Sequence, residues 1–277
     1  MPARALAVLL LLAAPLASAR AEAVDAAQMT AQDVQECVQR NFPDDSMKQT
    51  VRMVMKDRMG VERLLEAEMF WEKDPGTQLS RVRLDFDNPP ELRGAAVLVI
   101  EKKPTNDMFM FLPELGKTRR ITSSMVNGQM MGTDFTYEDF SRLQGLIGNL
   151  AAERQADEQL GGRPVFVTVS VPAENADSEY ARIRSLIDQE TCVALRVEFF
   201  QKGSEEPAKV LSVAREKVGA VKTGWFPREI LMEDVRGGTS TNLVIEKIEV
   251  GVPIERKMFS AAELEKQGRF GPAVTRY

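Results

Sequence analysis

Alternation of apolar and polar residues governs the chain after Pro43. Short alternating runs, broken by Gly, Pro, Asn and Asp, predict strands over 47–57, 61–71, 78–86, 95–102, 107–112 and 117–122. Ser80, Val82, Leu84 and Phe86 fall on one face, Arg81, Arg83 and Asp85 on the other. A second set is predicted over 164–171, 191–200, 208–218, 224–234 and 239–250. There Val165, Val167, Val169 and Val171 share a face, as do Val193, Leu195, Val197 and Phe199. So many strands in adjacent runs predict a mainly β (α+β) chain built on one large, meandering antiparallel sheet.

Helical signals are sparse. Residues 30–41 carry a capping-box spacing, with Thr30 as N-cap and Asp33 at N3. The same spacing recurs in a helix predicted over 136–148. Thr136 caps it, Asp139 sits at N3, and Phe135 and Phe140 form a hydrophobic staple. Glu138 and Asp139 in its first turn suit the helix dipole, and Gly148 is placed to end it. Further helices are expected over 177–188 and near 260–267. Helix 136–148 either packs on the sheet or forms a lid over the mouth of a curved one.

Several strands are apolar on both faces. In 107–112, Met108, Met110 and Leu112 oppose Phe109 and Phe111; Met53, Met55 and Met59 share a face of their strand. An antiparallel sheet commonly wets one face, so a second apolar face must be covered by helices, a partner or an apolar ligand. The chain has 14 methionines, whose flexible thioethers suit an adaptable apolar lining. Met130 and Met131 are read as loop hydrophobes that touch ligand or a partner, or pack back on the fold.

Composition narrows the chemistry. The chain has 277 residues and no histidine, which removes the Ser-His-Asp triad, the Cys-His dyad and imidazole metal ligands. Its two cysteines cannot build a zinc site. No phosphate-binding glycine motif is present, and the net charge of −5 argues against nucleic acid. An enzyme, a metal and a cofactor are therefore not expected.

Residues 1–21 read as a signal peptide. Arg4 lies in the n-region, an apolar run spans 6–16, and cleavage is expected after about Ala19 or Ala21. That run is too short to span a membrane. Residues 22–277 are expected to form one exported domain. Export permits a disulfide between Cys37 and Cys192, with two separate buried thiols as the alternative.

Residues 88–140 carry three ordered motifs. Pro89 and Pro90 precede Arg93-Gly94 and Leu98. Phe111-Leu112-Pro113 leads through Leu115 to Arg119-Arg120-Ile121. Gly132-Thr133-Asp134-Phe135-Thr136-Tyr137-Glu138-Asp139-Phe140 follows. This segment resembles the outer-membrane lipoprotein-sorting protein family, the LolA-like group. Thr133 stands where that family usually has Ser, and Phe111 where it usually has Tyr.

The resemblance implies a convex, incomplete antiparallel β-barrel with helices closing its open side. It also implies a periplasmic carrier whose cavity holds lipid or lipoprotein acyl chains and passes them between membrane components. A lipid- or lipoprotein-sensing accessory protein on the same fold is the alternative, and a membrane exporter or outer-membrane acceptor is a fitting partner. The expected lining is Met53, Met55, Trp71, Val99, Phe109, Phe111, Phe135 and Phe140. Arg119 and Arg120 are expected to latch the helix to the sheet through Asp134, Glu138 and Asp139.

Overall fold

The computed structural model describes residues 26–103, 105–146, 151–173 and 176–270. The signal peptide expected over 1–21 lies outside them, as do residues 147 and 148 of the predicted helix. The elements run in the order α1 (Ala31–Gln39), β1 (Ser46–Lys56), β2 (Glu62–Lys73), β3 (Ser80–Asn88), β4 (Ala96–Ile100), β5 (Asp107–Leu112), β6 (Lys117–Arg120), α2 (Ser123–Val126) and α3 (Tyr137–Leu143). The second half continues with β7 (Ala151–Leu160), β8 (Arg163–Val171), β9 (Tyr180–Asp188), β10 (Ala194–Gln201), β11 (Lys209–Ser212), β12 (Val218–Val221), β13 (Gly224–Pro227), β14 (Glu229–Asp234), β15 (Thr239–Val250) and α4 (Ala261–Phe270).

Thirteen strands form one open antiparallel sheet in the order β6-β5-β4-β3-β2-β1-β15-β14-β11-β10-β9-β8-β7, and β12 and β13 form a separate ribbon. The sheet is not closed, because β6 and β7 are opposite edges. It is the expected half-barrel, with few helices. Two meanders meet where β1 pairs with β15. The chain therefore leaves one edge at β6 and re-enters at the other at β7, so the segment holding α2 and α3 must cross a face of the sheet.

That face is the inner one. Its alternating side chains, including Met47, Val51 and Met53 of β1 and Leu84 and Phe86 of β3, build the largest core cluster together with Phe135, Tyr137 and Phe140 of the crossing segment. Over β3–β6 the second apolar face is covered by α4 and the turn before it. Ala96, Leu98 and Phe111 pack there against Phe259 and Leu264, with Phe109 at the border.

Three regions depart from the sequence reading. Within 177–188, residues 180–188 form β9 instead of a helix. Tyr180, Ile183 and Ile187 lie at helix-like spacing, but Ile183, Ser185 and Ile187 also alternate, and hydrogen bonding to strands on both sides decides for β. Residues 151–160, which carry no strand signal, form β7, a highly exposed edge strand paired to β8. Met59 is not on the face of Met53 and Met55: β1 ends at Lys56, and Met59 is 85% exposed in the following turn.

Candidate functional site

A cavity of about 290 Å³ lies between the inner face of the sheet and helices α1 and α3. That is near the lower end of the ~300–1,000 Å³ common for ligand sites. Val51, Met53, Met69, Leu84, Ile183 and Leu243 are among its sheet side chains; Val34 and Val38 of α1 and Phe140 and Leu143 of α3 face them. No lining residue comes from β4, β5 or β6. The crossing segment packs into the inner-face core through Met125, Met130, Phe135 and Tyr137, and the Tyr137 hydroxyl meets the Met110 sulfur of β5.

Helix α1 is anchored at both ends. Thr30 accepts from the Asp33 amide at 3.2 Å, and Asp33 accepts from the Thr30 amide at 2.7 Å, so the predicted capping box is formed. Val34 packs with Phe166 and Ile187 of the sheet. A disulfide joins Cys37 to Cys192, with Cα atoms 5.7 Å apart. Just past the helix, the Asn41 amide donates to the Thr191 carbonyl at 3.0 Å and accepts from the Trp225 amide at 2.9 Å. Gly224 is needed beside it: a Cβ there would stand 2.5 Å from Asn41 Oδ1.

Helix α3 is held by acids in and before its first turn. Thr136 and Asp139 complete the second predicted capping box. Asp139, 2% exposed, also accepts from the Tyr180 hydroxyl at 2.8 Å and from Lys209 Nζ at 3.2 Å. Burial, and then the Asp139 charge, hold the Tyr180 phenol well above its ordinary pKa. Asp134 accepts from the Thr241 hydroxyl at 2.6 Å and from Thr239, which fixes the loop before α3 to β15. Glu138 pairs with Arg142 at 2.6 Å within the helix; burial raises its pKa although Arg142 opposes the shift.

The helix ends earlier than expected. The Leu146 amide donates to the Ser141 carbonyl and the Gly145 amide to the Arg142 carbonyl, each at 3.0 Å. This is a Schellman stop, with Gly145 at φ 71°. Gln39 reaches across to the Gly145 carbonyl at 3.4 Å, so the two helices touch at the cavity edge.

Of the expected lining residues, Met53 and Phe140 line the cavity. Met55, Trp71, Val99 and Phe135 lie on the same side of the sheet but in its packed core. Phe109 and Phe111 are on the opposite face, beneath α4. The expected latch is not formed. Arg120 pairs with Asp107, and no ion pair among the described residues joins Arg119 or Arg120 to Asp134, Glu138 or Asp139. The reason is positional: β6 is the sheet edge, whereas Asp139 and Asp134 meet β9, β11 and β15. Met130, read as a loop hydrophobe, is 1% exposed in the core, and Met131 packs against it.

Sequence reasoning missed Gln49, Val34, Val38 and Leu243 in the lining. A signal for Gln49 was present: it is the one amide on the apolar face of β1.

Among the described residues, no group of three or more His, Cys, Asp or Glu could hold a metal ion, and no helix is long and apolar enough to cross a membrane. A family profile described as an uncharacterized protein matches residues 80–266. The chain belongs to that family. No curated protein matches it in sequence.

A domain named for outer membrane lipoprotein sorting, from Vibrio parahaemolyticus, aligns with a TM-score of 0.74 at 23% identity, over 83% of this chain and 96% of that one. A DUF1329 family protein from Desulfovibrio piger aligns with a TM-score of 0.77 at 19% identity, over 84% and 96%. A LolA superfamily protein from Nitrosomonas europaea aligns with a TM-score of 0.65 at 17% identity, over 84% and 98%. The fold is LolA-like. At these identities the likeness is one of fold.

Proposed function

We propose that this protein is a periplasmic lipid- or lipoprotein-binding carrier. It is exported with residues 1–21 removed, holds acyl chains between the sheet and helices α1 and α3, and passes them between membrane components. The observation that carries this reading is the apolar space itself: about 290 Å³ stays open between the sheet and helices α1 and α3, on the side away from β4–β6. Its walls are mostly aliphatic, aromatic and thioether side chains, which match a hydrocarbon chain, and the one carboxylate among them, Asp139, is already paired with Lys209. The fold shared with the Vibrio domain and the LolA superfamily protein agrees with it.

The test is native mass spectrometry of protein purified without detergent from a bacterial periplasm, followed by solvent extraction. A bound lipid or acylated peptide that is lost on denaturation is the expected result. A clean unliganded mass, together with no uptake of a fluorescent acyl probe, overturns the proposal. Passage of bound lipid to acceptor vesicles separates a carrier from a sensor, which would instead change its affinity for a protein partner.

A further inference from the structure

We infer that the ligand held in the cavity carries a neutral hydrogen-bonding group, a hydroxyl or an amide, that docks on Gln49. The inference rests on the proposed carrier function and specifies the chemistry of its ligand. Strand β1 turns Met47, Gln49, Val51, Met53 and Met55 to the buried side, and Gln49 alone of these is polar. It lies opposite Met69 on β2 and Ile248 on β15, is 2% exposed and lines the cavity.

Its amide is poorly served by the protein. Nε2 lies 3.2 Å from the Met47 thioether sulfur, a weak acceptor, and Oε1 has no hydrogen-bond partner among the described residues. Turning the amide over gives no relief, because the oxygen would then face a sulfur that donates nothing and the nitrogen would lose its only acceptor. A buried carbonyl in this state is costly, and buried polar groups are almost always paired.

Trp71 lies diagonal to Gln49 on the adjacent strand, two residues beyond Met69, and its buried Nε1–H also lacks an acceptor among the described residues. The Trp71 ring stacks on Phe42, which lines the cavity. Trp71 itself lies in the packed core outside the lining, so the group a ligand can reach is the Gln49 amide, whose unpaired carbonyl and weakly served N–H are complementary to a group that both donates and accepts. A hydroxyl or an amide does both; an alkane does neither. A carboxylate would be repelled by Oε1. The charged side chains that line the cavity, Asp139 and Arg142, are already paired with Lys209 and Glu138.

The test is displacement of N-phenyl-1-naphthylamine from the purified protein by 1-decanol and by 1-chlorodecane, which have the same chain and differ in the terminal group. The readout is the ratio of the two half-displacing concentrations in the wild type and in Gln49→Leu. Loss of one hydrogen bond should shift that ratio by about fivefold against the alcohol. Gln49→Met, which keeps the side-chain length, should behave alike and serves if the leucine variant folds poorly. An unchanged ratio in the folded variants overturns this inference and leaves the carrier proposal standing. Failure of the dye to bind, or of both compounds to displace it, overturns the carrier proposal and this inference with it.

Discussion

The Tyr180 hydroxyl donates to Asp139 Oδ1 at 2.8 Å, and through this bond β9 grips the first turn of α3. Lys209 on β11 approaches the other carboxylate oxygen at 3.2 Å. Both contacts are buried, and they do the work that Arg119 and Arg120 were expected to do. A hydrogen bond to a charged group contributes ~1.5–3 kcal/mol. Tyr180→Phe should lower stability by about that much. Lys209→Met should cost more, ~3–5 kcal/mol, because it leaves a buried carboxylate without its cation. Urea unfolding of each variant measures these losses. Hydrogen exchange should show faster opening of α3 than of β1 in both; equal protection of α3 in wild type and variants would deny the link.

The disulfide between Cys37 and Cys192 bridges 155 positions and ties α1 to the turn between β9 and β10. Closing so long a loop is worth up to about 5 kcal/mol in the chain-entropy treatment, and removal of a native bridge typically costs ~2–5 kcal/mol. Cys37→Ser with Cys192→Ser should lower the unfolding midpoint accordingly while leaving the sheet's far-ultraviolet signature intact. Because α1 forms one wall of the cavity, the same variant should release a bound acyl probe faster. A lower midpoint with an unaltered release rate would mean that α1 stays seated without the bridge.

Glu138 makes stability depend on pH. Burial raises its pKa above the usual glutamate value despite its pairing with Arg142, so the folded chain keeps this proton to a higher pH than the unfolded chain does. Between the two values the native state binds more protons, and stability falls as pH rises through that window. Below the ordinary glutamate value both states are protonated, and the contribution no longer varies. Glu138→Gln should remove this component and flatten the profile of urea midpoints in the range just above the ordinary glutamate pKa. A profile as steep as that of the wild type would assign the slope to other groups.

Local grammar made much of this fold legible. Both capping boxes, at Thr30 and Thr136, involve residues three apart, and both are formed. Strands such as Asp107–Leu112 follow from period-2 alternation. Period 2 sorts side chains into two faces but does not say which face is concave. For that reason Phe109 and Phe111 were expected in the lining, although they lie beneath α4. The partners of Asp139 illustrate a second limit. Tyr180 is 41 positions away and Lys209 is 70, and their proximity depends on the order β11-β10-β9 in the sheet, which no local pattern encodes. The edge strand β7 escaped because an exposed edge needs no apolar alternation: its segment is mostly polar, and β8 supplies its hydrogen bonds.

Filling the cavity separates open space from packed core. Val51 is 2% exposed and lines the cavity from the middle of β1. In a close-packed interior, Val51→Phe would force its neighbours aside at a cost of ~1–3 kcal/mol. Beside about 290 Å³ of open space the larger ring has somewhere to go, so the stability change should stay within ~1 kcal/mol. The ring would then occupy volume that an acyl chain needs, and affinity for a fluorescent acyl probe should fall more than about tenfold, a loss of ~1.4 kcal/mol or more. The two readouts constrain each other. A large stability loss with intact binding would mean that Val51 is ordinary core and that the probe sits elsewhere. Small changes in both would mean that the chain passes Val51 by and lies closer to the side of the cavity formed by Ile183 and Val197. A small stability change with a large loss of binding is the outcome expected of a cavity shaped to hold a hydrocarbon chain.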